Sequence, residues 1–204
     1  MKLLHIDSSV TGEASASRQL SGAIVGEFTR AEPALKIIRR DLGNEPILHL
    51  DSTSLGQVRP VGATANGNSD GALDEFLTAD IVVIGAPMYN FTVPSQLKAW
   101  VDRILVAGRT FRYTEIGAKG LVSGKSIIIA STRGGLYSPG TANEANDFQE
   151  RYLRAVFRFI GLDSIEVVRA EGLALGPGPR DMAMGAAFAS VIPLVQRLAT
   201  PAAA

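Results

Sequence analysis

Cysteine is absent from the 204-residue chain. That absence removes disulfides, thiolate nucleophiles, Cys-ligated iron–sulfur clusters and Cys-type zinc sites. Histidine is nearly absent too: His5 and His49 are the only two, which leaves little for a multi-His metal site or a His-dependent triad, and no metal is expected. Neither sign of charge is in excess, with 20 basic and 20 acidic residues, so nucleic acid and anionic membrane are not expected as main partners. No apolar run approaches the ~20 residues of a membrane span. The opening segment is broken by His5 and Asp7 too early for a signal peptide. What is present is ordinary globular usage, 46% hydrophobic and 20% charged, at a length suited to one domain with a large core. The expectation is a single-domain, soluble, cytoplasmic protein spanning residues 1–204, with Pro201–Ala204 as a frayed, disordered tail.

Short apolar runs occur at Leu3–Ile6, Leu35–Ile38, Ile81–Gly85, Ser126–Ala130 and Ile165–Val168, and three are dense in Val and Ile. Such runs suit strands covered on both faces of a parallel sheet. Helical spacing fills the gaps: Leu20, Ala23, Ile24 and Phe28 around Ser17–Glu27; Leu97, Val101, Ile104 and Leu105 in Pro94–Val106; and Leu153, Val156, Phe157 and Ile160. A last helix is expected over Arg180–Leu198, behind the Gly-Pro-Gly-Pro stretch. This alternation predicts an α/β three-layer sandwich, a five-stranded parallel sheet with helices on both faces and right-handed crossovers. Residues 43–72, rich in Gly, Asn, Ser and Pro, read as a surface loop with room for one short helix. Trp100 and Val101 point about 100° apart on a helix. Trp100 is therefore expected to cover a surface outside the core and mark an interface between subunits.

In an open α/β sheet the ligand lies beyond the carboxyl ends of the strands, where the winding reverses. The first such loop, Asp7–Ser17, gathers Ser8, Ser9, Thr11, Ser15 and Ser17 before a helix, with Arg18 as the one nearby cation. A helix N-terminus and hydroxyl donors favour a held phosphate monoester. Helix capping by Ser17 explains one of these serines but not the cluster. The loop after the third strand carries Met88, Tyr89 and Phe91 between Pro87 and Pro94, with Asn90 supplying amide donors and a carbonyl. Large apolar side chains in a loop suit a flat surface to be covered, unless they pack beneath the loop itself. After the fourth strand, Gly134 and Gly135 leave backbone amides unshielded. A phosphate end, an aromatic-flanked middle and backbone donors for a polar ring edge together fit flavin mononucleotide (FMN).

Other nucleotide motifs are missing. No G-x-G-x-x-G follows the first strand and no G-x-S-x-G elbow exists. Gly120–Ser126 resembles a phosphate loop but is one residue short and precedes a strand instead of following one. Asp7–Thr11 lacks the second acidic residue of an aspartyl-phosphate site.

The run Gly85-Ala-Pro-Met-Tyr-Asn-Phe-Thr-Val-Pro-Ser-Gln-Leu-Lys-Ala-Trp-Val-Asp-Arg103 resembles the signature of the FMN-dependent NADH-azoreductases, equally described as NAD(P)H:quinone oxidoreductases. Thr110–Glu115, Thr132–Gly135, Phe159–Gly161 and Ala170–Gly172 are similar to later segments of that family. The resemblance implies a flavodoxin-like fold, FMN at the switch point, and a homodimer with both sites at its interface. It implies phosphate contacts from Ser9, Ser15, Ala16 and Ser17, Ala16 standing where relatives often carry Gln and so contributing backbone only. It implies ribityl and ring contacts from Pro87, Met88, Tyr89, Asn90 and Phe91, and pyrimidine contacts from Ser131, Thr132, Arg133, Gly134 and Gly135. Tyr89, Phe91, Phe111, Tyr113, Tyr137 (His in some members) and Phe159 are expected to wall an acceptor slot, some from the partner chain. The activity implied is hydride transfer from NADH or NADPH through FMN to quinones and azo compounds, in two steps sharing one site and with no protein group as catalyst. The alternative is a flavodoxin-like FMN electron carrier without NAD(P)H-linked reductase activity. Such carriers are commonly acidic, whereas this chain is neutral.

Overall fold

The chain runs β1 (Lys2–Asp7), α1 (Ala16–Ala31), β2 (Lys36–Asp41), α2 (Gly71–Thr78), β3 (Ile81–Pro87), α3 (Ser95–Ile104), β4 (Phe111–Thr114), β5 (Gly117–Gly120), β6 (Ser126–Thr132), α4 (Phe148–Phe159), β7 (Ile165–Ala170) and α5 (Pro177–Ala199). This computed structural model describes residues 1–50 and 71–199, so most of the 43–72 segment and the Pro201–Ala204 tail lie outside the described residues.

Five strands pair in parallel in the order β2-β1-β3-β6-β7. Leu3 lies opposite Ile81, and Ile84 opposite Ile129. Alternating side chains divide the apolar residues into two cores. Leu4, Ile6, Val82, Ile84, Ile127 and Ile129 face α2, α3 and α4, while Leu3, Val83, Ile128 and Ala130 face α1 and α5. The winding reverses between β1 and β3, and the connections after β1, β3 and β6 leave adjacent strands side by side.

Several expectations need correction. Strands β3 and β6 run two residues further than their Val- and Ile-rich cores, because Ala86 stays paired with Ser131 and Pro87 with Thr132. Pro87, Ser131 and Thr132 are thus strand residues, not loop residues. Helix α1 starts at Ala16 and is capped by Ser15, not Ser17. Helix α5 starts inside the Gly-Pro-Gly-Pro stretch, at Pro177, where the fixed φ of proline suits a first turn and its missing N–H leaves no bond unmade.

The antiparallel hairpin β4–β5 was not expected: Phe-Arg-Tyr-Thr alternates over only four residues, and its partner Gly-Ala-Lys-Gly carries no large apolar side chain. Trp100 is wholly buried, its ring 5.9 Å from Phe76 of α2 in an edge-to-face pair. Helices α2 and α3 share one face of the sheet, so α2 covers the flank of α3 that carries Trp100, and Trp100 marks no interface. Among the described residues, α5 is one helix long and apolar enough to cross a membrane by length and composition. It lays Met184, Ala187, Val191, Leu194 and Val195 against the sheet, as a core helix does.

Candidate active site

The first loop is assembled from short, buried hydroxyl contacts. Ser8 Oγ donates to the carbonyl of Gly85 at 2.7 Å and staples the end of β1 to β3. Ser9 Oγ lies 3.0 Å from Thr11 Oγ1 and 3.1 Å from Tyr89 Oη, so the first loop touches the third-strand loop directly. Ser15 Oγ and Ser17 Oγ are 3.0 Å apart, and the amide of Arg18 donates to Ser15 Oγ as a cap. The amides of Ala16 and Ser17 have no protein acceptor among the described residues. Two unpaired N–H groups and the Ser15 and Ser17 hydroxyls at the positive end of a 16-residue helix form an anion cradle.

Arg18 does not aim its charge at that cradle. Its guanidinium donates twice to Asp41, at 2.6 Å each, and at 2.8 Å to the carbonyl of Ser9. It stabilises the loop from below and leaves the cradle with neutral donors. Beneath lies Asp7: burial pushes its carboxyl up, and hydrogen bonds with His5, Ser21 and Arg39 bring it below the usual carboxylate range. His5 is enclosed in this cluster, 3.0 Å from Ser21 Oγ, in a structural role.

After β3 the chain makes a two-residue reversal. Tyr89 and Thr92 exchange backbone hydrogen bonds of 2.9 and 3.1 Å, with Asn90 at φ 47° and Phe91 at φ 72° between them. Two successive left-handed residues define a type I′ turn, which suits Asn but strains a bulky aromatic. The turn is held in place by Met88 N donating to Thr132 O at 2.8 Å and Phe148 N donating to Phe91 O at 3.1 Å. Phe91 stays half-exposed, its ring 6.3 Å from Tyr137 in an edge-on pair. Beside the turn an open groove of about 560 Å³ is lined by Val10, Tyr89, Asn90, Val93, Gln96 and Tyr152. Burial, with Asp102 nearby, pushes the Tyr152 phenol up to about 12, so it stays a neutral wall.

The loop after β6 has its carbonyls occupied. Leu173, Ala174 and Gly172 donate to the carbonyls of Arg133, Gly134 and Gly135 at 3.1, 3.0 and 2.9 Å. The amides of Gly134 and Gly135 donate to nothing among the described residues. A Cβ at Gly135 would sit 3.2 Å from the Tyr137 ring, so glycine keeps this backbone bare and lets the ring lie against it. The Arg133 side chain is committed inside the protein, to Asp147 at 3.0 Å, Glu150 at 3.1 Å and Glu171 at 2.8 Å. Its Nε donates to Ser131 Oγ and Gln149 Oε1. Arg133 therefore offers a cofactor its backbone, not its charge.

Ser9, Ser15, Ala16, Ser17, Met88, Tyr89, Asn90, Phe91, Gly134 and Gly135 lie on the three connections that leave β1, β3 and β6. Phe111, Tyr113 and Phe159 form a separate cluster, with ring centroids 5.5 and 4.8 Å apart. Phe148, at the start of α4, is bonded to the Phe91 turn, and Phe159 is the last residue of that 12-residue helix. The distance along the helix is roughly 18 Å. Within one chain these three aromatics are at the opposite edge of the sheet from the switch point. Sequence reasoning also missed Gln149 and Glu171. Gln149 is buried and donates to Ala86 O at 2.8 Å, and Glu171 accepts from Tyr137 N and Ser138 Oγ. A lone Gln in a helix has no signal of its own, whereas Glu171 lay within the similar Ala170–Gly172 segment.

The residues present fit FMN on these observations: free amides and hydroxyls at a helix N-terminus for phosphate, an aromatic turn for the ring, and bare amides for pyrimidine oxygens.

Comparison with known proteins agrees. Residues 1–192 match the flavodoxin-like fold family. An FMN-dependent NADH:quinone oxidoreductase of Ralstonia nicotianae is 49% identical over 97% of this chain and 98% of the relative. Another of that name from Stenotrophomonas maltophilia is 52% identical over 94% of each. The solved structure of an FMN-dependent NADH-azoreductase from Bacillus anthracis str. Ames Ancestor, in complex with FMN, superposes with a TM-score of 0.85 at 26% identity, covering 98% of this chain and 99% of that one. An azoreductase of the Sterne strain also gives 0.85, at 26% identity, covering 97% and 99%. The chain belongs to the flavodoxin-like family that includes the FMN-dependent NADH:quinone oxidoreductases.

Proposed function

We propose that this chain is an FMN-dependent NADH:quinone oxidoreductase that also reduces azo compounds. The observation that carries the reading is the set of unpaired backbone donors, Ala16 and Ser17 at one end and Gly134 and Gly135 at the other, flanking the Tyr89–Phe91 turn. Bound FMN supplies the hydride-accepting and hydride-donating chemistry, and the protein positions and polarises it. Ser9, Ser15 and Ser17 with the α1 amides hold the phosphate. Met88, Tyr89, Asn90 and Phe91 flank the ring, and the Gly134 and Gly135 amides meet its pyrimidine edge. NADH or NADPH and the acceptor take turns over one ring face, a two-step exchange. The Tyr89 hydroxyl accepts from the Val10 amide and lies 3.1 Å from Ser9 Oγ, so it is held at the edge of the site.

The acting form is a homodimer with C2 symmetry. Tyr113 is 77% and Ile116 100% exposed on the β4–β5 hairpin and its turn, and Phe159 is exposed beside them. This apolar group is far from its own site and suits a slot completed by a second copy. A quinone reaches hydroquinone in one exchange whereas an azo bond needs two to reach a pair of amines, so quinones are reduced faster. Purified protein should be yellow and bleach with NADH under anaerobic conditions. Both acceptor classes should give parallel lines in double-reciprocal plots. Yellow protein that NADH does not bleach would point to a carrier, and colourless protein that refuses FMN would end the proposal.

A further inference from the structure

Glu171 follows β7 and sits between two parts of the site. One carboxylate oxygen accepts from Arg133 Nη1 at 2.8 Å and from the Tyr137 amide at 3.0 Å, and the other accepts from Ser138 Oγ at 2.5 Å. Among the described residues, the remaining hydrogen bonds of the 136–141 turn are local: Thr141 Oγ1 to the carbonyls of Leu136 and Ser138, Thr141 N to Ser138 O, and Gly140 N to Glu144. Behind this turn is a cavity of about 140 Å³, lined in part by Tyr137, Ser138, Pro139 and Arg151. The turn therefore has room to shift when its tether is released. Tyr137 is what it carries, with its ring against Phe91 and over Gly135.

We propose that Glu171 is a positioning residue for acceptor binding: its carboxylate pins the Tyr137 amide and Ser138 hydroxyl, and so fixes the Tyr137 ring as one wall of the acceptor slot. This rests on the oxidoreductase reading above. Burial pushes the Glu171 carboxyl up, but Ser138, Arg133 and the Tyr137 amide hold it below the usual carboxylate range, so the tether is charged at neutral pH. Arg133 keeps Asp147 and Glu150 when Glu171 is altered, so the Gly134–Gly135 amides stay in place. The Tyr137 amide and Ser138 Oγ have no such second partner among the described residues.

The test is a double-mutant cycle of Glu171→Gln and Tyr137→Ala in the FMN-loaded protein, with a water-soluble benzoquinone as acceptor. Glu171→Gln should raise the KM for the quinone roughly fivefold, the worth of about one hydrogen bond. FMN affinity, measured by fluorescence titration of the apoprotein, should stay within about twofold. Amide exchange in the 136–141 peptide should quicken about tenfold. In the Tyr137→Ala background Glu171→Gln should add no further rise in KM. Additive effects on KM, or a fall in FMN affinity as large as the rise in KM, would overturn the proposal and make Glu171 merely structural. Should Glu171→Gln fold poorly, Ser138→Ala removes one of the same two anchors and should raise KM two- to threefold; no change there also overturns it. Loss of FMN binding or NADH oxidation in the unaltered protein would refute the oxidoreductase reading itself, a separate outcome.

Discussion

Replacing Ser15 and Ser17 with Ala separates cofactor binding from folding at the start of α1. The two hydroxyls are 3.0 Å apart and nearly inaccessible, and Ser15 alone also accepts the capping bond from Arg18 N. Each is expected to give the FMN phosphate one hydrogen bond worth about 1 kcal/mol, so the double variant loses about 2 kcal/mol, or roughly thirtyfold in Kd. The thermal consequence follows by mass action. FMN at a hundredfold excess over Kd stabilises the unaltered protein by about 2.7 kcal/mol. At the same concentration a thirtyfold weaker site gains only about 0.9 kcal/mol. The single variants act as controls on each other. Ser15→Ala should also cost the apoprotein about 1 kcal/mol of cap energy, a fall of about 2–4 °C in Tm at this size. Ser17→Ala keeps the cap but deletes the bond to Ser15 Oγ, so it should lower the apoprotein Tm by no more than Ser15→Ala does while weakening FMN about fivefold. Fluorescence titration gives the affinities and differential scanning calorimetry the Tm values. An unchanged Kd in the double variant would falsify the placement of the phosphate on α1.

Three further outcomes test the framework around the site. Burial pushes the Glu150 carboxyl up, yet Arg169 and Arg154 hold it at about 2 against an ordinary 4.5. A depressed folded value means stability that is present above the ordinary value and lost as pH falls through the folded one, so the urea midpoint should drop between about pH 4.5 and 2, with a flatter slope in Glu150→Gln. Asp41→Asn leaves the Arg18 guanidinium, 5% exposed, without its main partner; a loss of about 3 kcal/mol is expected by urea denaturation, and one under about 0.5 would show that the pair does not anchor the loop. Gly120→Ala would put a Cβ 2.2 Å from the carbonyl carbon of Ile160 and 2.3 Å from Gly161 N. Backbone cannot step aside as a side chain does, so a loss of about 3 kcal/mol is expected, and near-normal stability would show that the β4–β5 hairpin is not pressed on α4.

The architecture was legible because burial on both faces leaves unbroken Val- and Ile-rich strands, whose ladder in β3 and β6 is the centre of the sheet. The switch point was legible for a related reason: hydroxyls before a helix, aromatics in a loop and paired glycines each stand out against a core pattern. What periodicity reports is which face of an element is covered, not what covers it. Trp100 illustrates this, since its partner Phe76 belongs to α2, next to the irregular segment that no apolar pattern resolves. Arg133 illustrates the converse. Its place in a loop motif gives no sign that three carboxylates from α4, the residue before it and the end of β7 surround its side chain. Phe111, Tyr113 and Phe159, which the resemblance assigned to an acceptor slot, share the composition of the site without sharing its edge of the sheet.

The left-handed Phe91 has a bearing on laboratory selection. A bulky residue at φ 72° carries about 1 kcal/mol or more of backbone strain that glycine at the same position would not. A library screened for heat resistance alone should enrich Phe91→Gly, and survivors should melt higher while losing the aromatic face of the turn. If Phe91 flanks the flavin ring as proposed, thermostability and turnover pull in opposite directions at this one codon. Selection schemes for this fold need a coloured acceptor in the assay from the first round, or the strain that shapes the site will be the first thing discarded.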